Sequence, residues 1–184
     1  MAKKETKREI KVVNIVVSTS LMHDIPLEKM AATLSNTEYN PEQFPGLVIR
    51  IKEPKTSALI FSSGKVVCTG ARSMDKVEES IKKIIKSLEK INIKITVEPE
   101  IKIQNIVASG SVGMDLNLNT LAMKLENTEY EPEQFPGLVY KLTAAKATFL
   151  LFSNGKVVCT GTKSEKEVHA ALDKLIEQLK RVKA

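Results

Sequence analysis

The chain has 184 residues, 42% of them hydrophobic, enough for one ordinary domain or two small ones with a real core, which excludes a disordered tail. Its net charge of +6 and isoelectric point near 9.2 tilt it toward anionic partners, without the density of Lys and Arg found in purely electrostatic binders. Two Cys and two His are too few for a disulfide framework or a convincing zinc site, so a reducing compartment, no metal and no cofactor are expected.

In chain order, residues 1–9 read as a basic arm, with Lys3, Lys4, Lys7 and Arg8 set against Glu5 and Glu9. This polar start lacks the apolar segment of a secretory signal, and no apolar run approaches the roughly 20 residues that cross a bilayer. A soluble, intracellular protein is expected. Residues 12–18 then read as a strand, followed by a short helix with Pro26 suited to its first position. The Pro-flanked segment NPEQFPG from Asn40 makes a loop. Strand-like runs follow at 47–52, 57–62 and 65–70. Val77, Ile81, Ile84, Ile85 and Leu88 recur at helical spacing, and residues 92–97 read as one more strand.

From there the chain repeats itself at a constant offset of 91, as from Asn14 to Asn105. NTEYNPEQFPGLV from Asn36 returns as NTEYEPEQFPGLV from Asn127, and FSSGKVVCTG from Phe61 returns as FSNGKVVCTG from Phe152. A strand at 103–109, three runs opening at Leu138, Thr148 and Lys156, and a helix marked by Val168, Leu172, Leu175, Ile176 and Leu179 complete the second copy. Ser164 and Glu167 form a capping box before that helix. Asn154-Gly155 signals a two-residue hairpin turn with both residues at positive φ, and Ser63-Gly64 is its weaker counterpart. Two copies are too few for a solenoid, so an α+β molecule with approximate two-fold symmetry is expected, its repeats at 10–98 and 99–184. The counterpart of the strand at 92–97 would start at Lys183, so the second repeat is predicted to lack one edge strand.

Strand parity places Val66 and Cys68 on one face, Val67 and Thr69 on the other, and Phe61 with Leu59 opposite Ala58 and Ile60. Both faces are largely apolar, yet each copy has one long helix and can cover only one of them. A large uncovered apolar sheet normally marks a binding surface, although a dimer or a lid would also bury it. Four of the five Phe form offset pairs, Phe44 with Phe135 and Phe61 with Phe152, while Phe149 aligns with Ala58 and reads as core. Asn14 pairs with Asn105 and Thr69 with Thr160. The flanking cations pair as Arg50 with Lys141, Lys55 with Lys146 and Lys65 with Lys156. A partner with two-fold symmetry suits such a surface, and duplex DNA has it. The minor groove of A·T pairs offers only acceptors, whereas a G·C pair adds an amino donor. An apolar face with a few Asn and Thr donors would accept the first and penalise the second.

These residues bring the chain to a known family. QNIV at 104–107, the two EYxPEQFPGLV runs and the two FSxGKVVCTG runs resemble the TATA-box-binding protein family over nearly the whole chain, and the short form resembles its archaeal members. The resemblance implies a ten-stranded, curved antiparallel saddle with helices on its convex face, riding on the minor groove of a promoter element in a cytoplasm without a nucleus, on the nucleoid. It implies that Phe44, Phe61, Phe135 and Phe152 kink the DNA. Asn14, Asn105, Thr69 and Thr160 would make central hydrogen bonds, flanked by Val16, Val107, Val67 and Val158. Phosphates would meet Arg50, Lys55, Lys141 and Lys146. Glu131 and Glu133 would contact transcription factor B, and through it RNA polymerase. Gln134 stands where some relatives carry an apolar residue in that contact. A homodimer through the apolar face is a further expectation for the DNA-free protein.

Two other classes compete. A base-flipping glycosylase needs a reactive group in a pocket, and no nucleophile, base or metal cluster recurs near the apolar face. A platform stacking single strands would splay bases over exposed aromatics, whereas two Phe pairs among Val and Leu fit wedges better. Cys68 and Cys159 read as buried thiols beneath the helices. His23 and His169 have no repeat partner and read as surface residues. The mixed Lys and Glu of the long helices read as a solvated face. Ser63-Gly64-Lys65 suggests a phosphate loop, but G-x-x-x-x-G-K followed by Ser or Thr is not met.

Overall fold

A computed structural model describes residues 8–183 of the chain. The first seven residues of the predicted basic arm lie outside them. Arg8 pairs with Asp173, and Glu9 opens the first strand.

The chain forms two compact units. One, residues 14–104, takes β1 (Glu9–Ser20) from Asn14 onward, α1 (Leu27–Thr33), β2 (Thr37–Glu38), β3 (Leu47–Ile51), β4 (Thr56–Ile60), β5 (Lys65–Ala71) and α2 (Met74–Glu89). Its strands run antiparallel in the order β2-β3-β4-β5-β1. The other, residues 8–13 with 105–183, holds most of β6 (Lys102–Ser111), then α3 (Leu118–Lys124), β7 (Thr128–Glu129), β8 (Leu138–Leu142), β9 (Ala147–Leu151), β10 (Lys156–Thr162) and α4 (Glu165–Lys183). Its order, β6-β10-β9-β8-β7, repeats that of the first.

Each unit buries one sheet face under its long helix. In the first, Val17, Ile49, Ala58, Ile60, Val66 and Cys68 are buried with Val77, Ile81, Ile84 and Leu88 of α2, while Ile85 stays half-buried at the stripe's margin. In the second, Ala108, Tyr140, Leu151, Val157 and Cys159 lie buried with Val168, Leu172, Leu175, Ile176 and Leu179 of α4, and Phe149 is wholly inaccessible at 0%. Burial pushes both thiols up to about 11, against a small opposing pull from a hydrogen bond with Ser80 for Cys68 and with Thr162 for Cys159. His23 and His169 are exposed, as expected.

Two predicted features are corrected. Residues 92–97 form no strand. Asn92 takes φ +61, its N–H bonds Glu89 O at 3.1 Å, and Ile93 N bonds Leu88 O at 3.0 Å. That is a left-handed cap closing α2, so the alternating pattern beyond it has no ladder to join. The second repeat is not short of an edge strand either. Each outermost strand is a two-residue run hidden in the NTEY segment, pairing Thr37 with Ile49 and Thr128 with Tyr140, which gives five strands per repeat.

The hairpin turns also differ from expectation, because only Gly64 and Gly155 take positive φ, at +93 and +84. Gly64 N bonds Phe61 O and Phe61 N bonds Lys65 O, both at 2.9 Å, the pattern of a three-residue loop with glycine in the left-handed position. Asn154 instead uses its side-chain oxygen to accept from Lys156 N at 3.0 Å. Glycine is required here twice over, since a Cβ on Gly155 would lie 2.2 Å from Met114 O. Pro26 occupies the N-cap rather than the first helical position of α1. At α4, Ser164 Oγ accepts from Glu167 N as a capping box requires, but the Glu167 carboxylate accepts from Lys163 N, one residue early.

Candidate nucleic-acid interface

The sheet face turned away from the long helix stays open in both units, because successive side chains point to opposite sides. In the first unit, Asn14 and Val16 of β1, Val67 and Thr69 of β5, Ser57 and Leu59 of β4, and Val48 of β3 all alternate with buried neighbours and remain half-buried or exposed. Register lines them into rows. Val48, Leu59 and Val67 face one another across three strands, and Arg50, Ser57 and Thr69 form the next row. The second unit repeats the rows as Val139, Leu150 and Val158, then Lys141, Thr148 and Thr160, with Asn105 and Val107 on β6. Ser57 against Thr148 and Arg50 against Lys141 are the departures from identity in these rows.

Polar groups on this face are held in one geometry per unit. Asn14 Nδ2 donates to Thr69 Oγ1 at 3.0 Å, and its Oδ1 accepts from Gly70 N at 2.6 Å. Asn105 Nδ2 donates to Thr160 Oγ1 at 3.0 Å, and its Oδ1 accepts from Gly161 N at 2.7 Å. Gly70 and Gly161, at φ +101 and +95, sit where the β1–β5 and β6–β10 registers slip, so two residues on one strand oppose one on the other. Neither glycine was singled out from sequence. Their signal was there: a glycine directly after a strand threonine, in a run otherwise fit for continuous pairing.

The phenylalanines meet in pairs inside each unit. Phe44 and Phe61 lie edge to face with centroids 5.9 Å apart at 68°, and Phe135 and Phe152 at 6.0 Å and 72°. Phe44 and Phe135 are each 43% exposed, unusual for so large an apolar ring, and Phe61 and Phe152 are half-buried. The loop presents them through the glycine of FPG. A Cβ on Gly46 would sit 2.8 Å from Phe44 Cε1 and 3.1 Å from Phe61 Cε1, and one on Gly137 would stand 2.8 Å from Phe135 Cε1 and 3.0 Å from Phe152 Cε1.

Cations border the open face. Arg50, Lys141, Lys55, Lys146, Lys65 and Lys156 are all exposed. Arg50 Nη1 meets Glu38 Oε2 at 3.2 Å, and Lys146 takes φ +50 at the end of a 3-10 turn, Thr143–Ala145. Glu131 and Glu133 are exposed in the second loop, where Gln134 N and Phe135 N both donate to Glu131 O at 3.0 Å. Asn40 O accepts the same two bonds in the first loop. The loops therefore share a backbone and differ at residue 40 against 131 in charge.

Comparison with known proteins decides the family. The family described as Transcription factor TFIID (or TATA-binding protein, TBP) matches twice, over residues 9–91 and 100–182. The chain belongs to this family. It is 54% identical over 174 residues to the TATA-box-binding protein of Methanocaldococcus jannaschii, covering 95% of each chain. It is 49% identical to that of Archaeoglobus fulgidus, covering 94% of this chain and 95% of the other. A solved structure titled Methanococcus jannaschii TBP superposes with a TM-score of 0.88 over 94% of this chain and 99% of its own. This is accordingly a transcription factor fold of archaeal type, with the antiparallel strands and helix-covered faces expected of it. No helix among the described residues is long and apolar enough to cross a membrane.

Proposed function

We propose that this protein binds A·T-rich promoter DNA through the minor groove, bends it with its phenylalanine pairs, and recruits transcription factor B, and thereby RNA polymerase, through Glu131 and Glu133. The observation that carries this reading is the duplicated open face: an apolar sheet with one Asn–Thr donor set and one Phe pair, of one exposed and one half-buried ring, in each repeat.

Mechanistically, each Phe pair enters a base step and unstacks it, so the groove widens and meets the Val and Leu rows. Unstacking costs on the order of a few kcal/mol per step and smooth bending roughly 1–6 kcal/mol, general magnitudes for which TATA-binding proteins are themselves the standard example. Burying a phenylalanine returns about 1.5–3 kcal/mol, so four of them offset costs of this size. The deformation favours flexible TA steps. Asn and Thr donors match adenine N3 and thymine O2 and meet a like donor in the guanine amino group. Arg50, Lys55, Lys141 and Lys146 supply phosphate contacts, the part of the affinity that falls with salt. Nothing in this mechanism requires a reactive group; the work is binding and deformation.

Fluorescence anisotropy and energy transfer test it together. A TATA duplex is expected to bind ahead of a G·C-rich duplex and of either single strand, and Phe152→Ala to reduce both affinity and bend. Glu131→Arg is expected to retain DNA binding and lose the ternary complex with transcription factor B. An unchanged bend in Phe152→Ala removes the wedge role, and a preference for single strands removes the reading as a whole.

A further inference from the structure

We infer that Gly70 and Gly161 are positioning residues for base discrimination: each bulge N–H pins the neighbouring Asn oxygen, so that the amide can only donate toward the groove. The inference deepens the minor-groove reading above and rests on it.

An asparagine amide is ambivalent. Turned one way it offers donors, and flipped it offers an acceptor, which would welcome a guanine amino group. Discrimination by Asn therefore requires something that forbids the flip. A backbone N–H can only donate, so the atom facing Gly70 N at 2.6 Å and Gly161 N at 2.7 Å must be oxygen. Nδ2 then spends one hydrogen on the threonine oxygen at 3.0 Å in each unit, and its second hydrogen has no partner among the described residues. Threonine cannot perform the pinning, because its hydroxyl both gives and accepts and would satisfy either orientation.

The bulge is what makes the pin available. In an unbroken antiparallel ladder an N–H either bonds the facing strand or lies in the plane of the sheet. Here Ile15 pairs with Ala71 and Val17 with Cys68, leaving Thr69 and Gly70 opposite Val16 alone. Ile106 pairs with Thr162 and Ala108 with Cys159, leaving Thr160 and Gly161 opposite Val107. The displaced N–H leaves the ladder and reaches the side chain on the open face. Positive φ makes the geometry accessible to glycine, and a Cβ on Gly70 would press on Lys55 O at 3.2 Å and Thr56 Cα at 3.3 Å.

Asp keeps the pin and reverses its outward partner, since one carboxylate oxygen still accepts from the glycine N–H while the other presents an acceptor. Affinities of the wild-type protein and of Asn14→Asp/Asn105→Asp are compared on a TATA duplex and on the same duplex with 2,6-diaminopurine replacing the central adenines, which adds only a minor-groove amino group. Wild type is expected to lose roughly 5- to 150-fold per modified pair, the usual penalty for one wrong pair. The Asp variant is expected to bind TATA more weakly and to show a ratio narrowed at least tenfold or reversed. An Asp variant with the wild-type ratio means that the amino group is rejected by bulk alone, and overturns the proposal.

Hydrogen exchange without DNA reads the pin directly. The Gly70 and Gly161 amides are expected to be protected in wild type and in the Asp variant, and to exchange at least tenfold faster in Asn14→Ala and Asn105→Ala. Equal exchange in all four also overturns the proposal. A wild-type protein that fails to prefer TATA over a G·C-rich duplex, with the glycine amides still protected, marks a failure of the minor-groove reading instead.

Discussion

Gly137→Ala separates the role of the phenylalanine pair from its contribution to stability. The added Cβ would lie 2.8 Å from Phe135 Cε1, 3.0 Å from Phe152 Cε1 and 3.2 Å from Phe152 Cζ, so both rings must move. The backbone itself accepts alanine, because Gly137 is not among the positive-φ glycines, and removing unfolded-state freedom stabilises by about 0.4–1 kcal/mol. Against this stand the loss of the edge-to-face contact, about 0.5–1.5 kcal/mol, and an off-rotamer ring, about 0.5–1.5 kcal/mol. The net effect on folding is about 0–2.5 kcal/mol, and a change of 1 kcal/mol moves Tm by about 2–4 °C in a chain of this size. DNA binding gains nothing from the entropy term. If the wedge must be rebuilt on the DNA, the full 1–3 kcal/mol falls on affinity, about 5- to 150-fold in Kd. Thermal melting, anisotropy on a TATA duplex and bend angle by energy transfer measure the three quantities. Unchanged Kd and bend in a folded variant refute preorganisation of the pair by this glycine. A fall in Tm beyond about 10 °C would show that the rings serve as core.

Two further outcomes follow from the buried side. Thr56 Oγ1 and Ser80 Oγ lie 2.8 Å apart under α2, and the matching positions of the second repeat are Ala147 and Ala171, so a hydrogen-bonded pair has been exchanged for two methyl groups. Thr56→Ala and Ser80→Ala are each expected to cost about 1–2 kcal/mol in urea unfolding, while the double variant costs less than their sum; strict additivity would deny the coupling. The thiols of Cys68 and Cys159, raised to about 11 from an unfolded value of 9.0, favour the folded state while protonated. Their contribution is full below pH 9 and is lost as pH climbs toward 11, so Cys68→Ala/Cys159→Ala is expected to flatten stability over that window; parallel pH profiles would refute it.

The repeat and the parity of its strands were legible because both are written in side chains. A 91-residue offset needs no folding to be seen, and alternation alone sets Val66 with Cys68 on one face and Val67 with Thr69 on the other. The two-residue strands at Thr37–Glu38 and Thr128–Glu129 were hidden for the opposite reason. A run that short has no periodicity, and it exists only because the next strand offers an edge to pair with. Residues 92–97 mislead in the complementary way. Ile93, Ile95 and Val97 alternate as a strand should, but they pair with no strand, and Asn92 is already committed to closing a helix. Tertiary partnership overrides pattern wherever pattern is short.

The residues of the candidate interface divide along the same line. Phe44, Phe135, Asn14 and Asn105 could be named from sequence because a large ring in a Pro-Gly loop and an amide among valines are out of place in a core. Gly46, Gly137, Gly70 and Gly161 were not, since what they contribute is the absence of a side chain and the direction of a backbone N–H, which no apolar or polar pattern announces. Under the proposed minor-groove reading, recognition of A·T pairs on this face would draw on both kinds. The side chains would supply rings and donors, and the glycines would decide where a ring stands and which end of an amide faces out. An open sheet with the same Asn and Thr but an unbroken ladder would display amides free to turn, and would read the minor groove far less sharply than one whose polar groups are clamped before the DNA arrives.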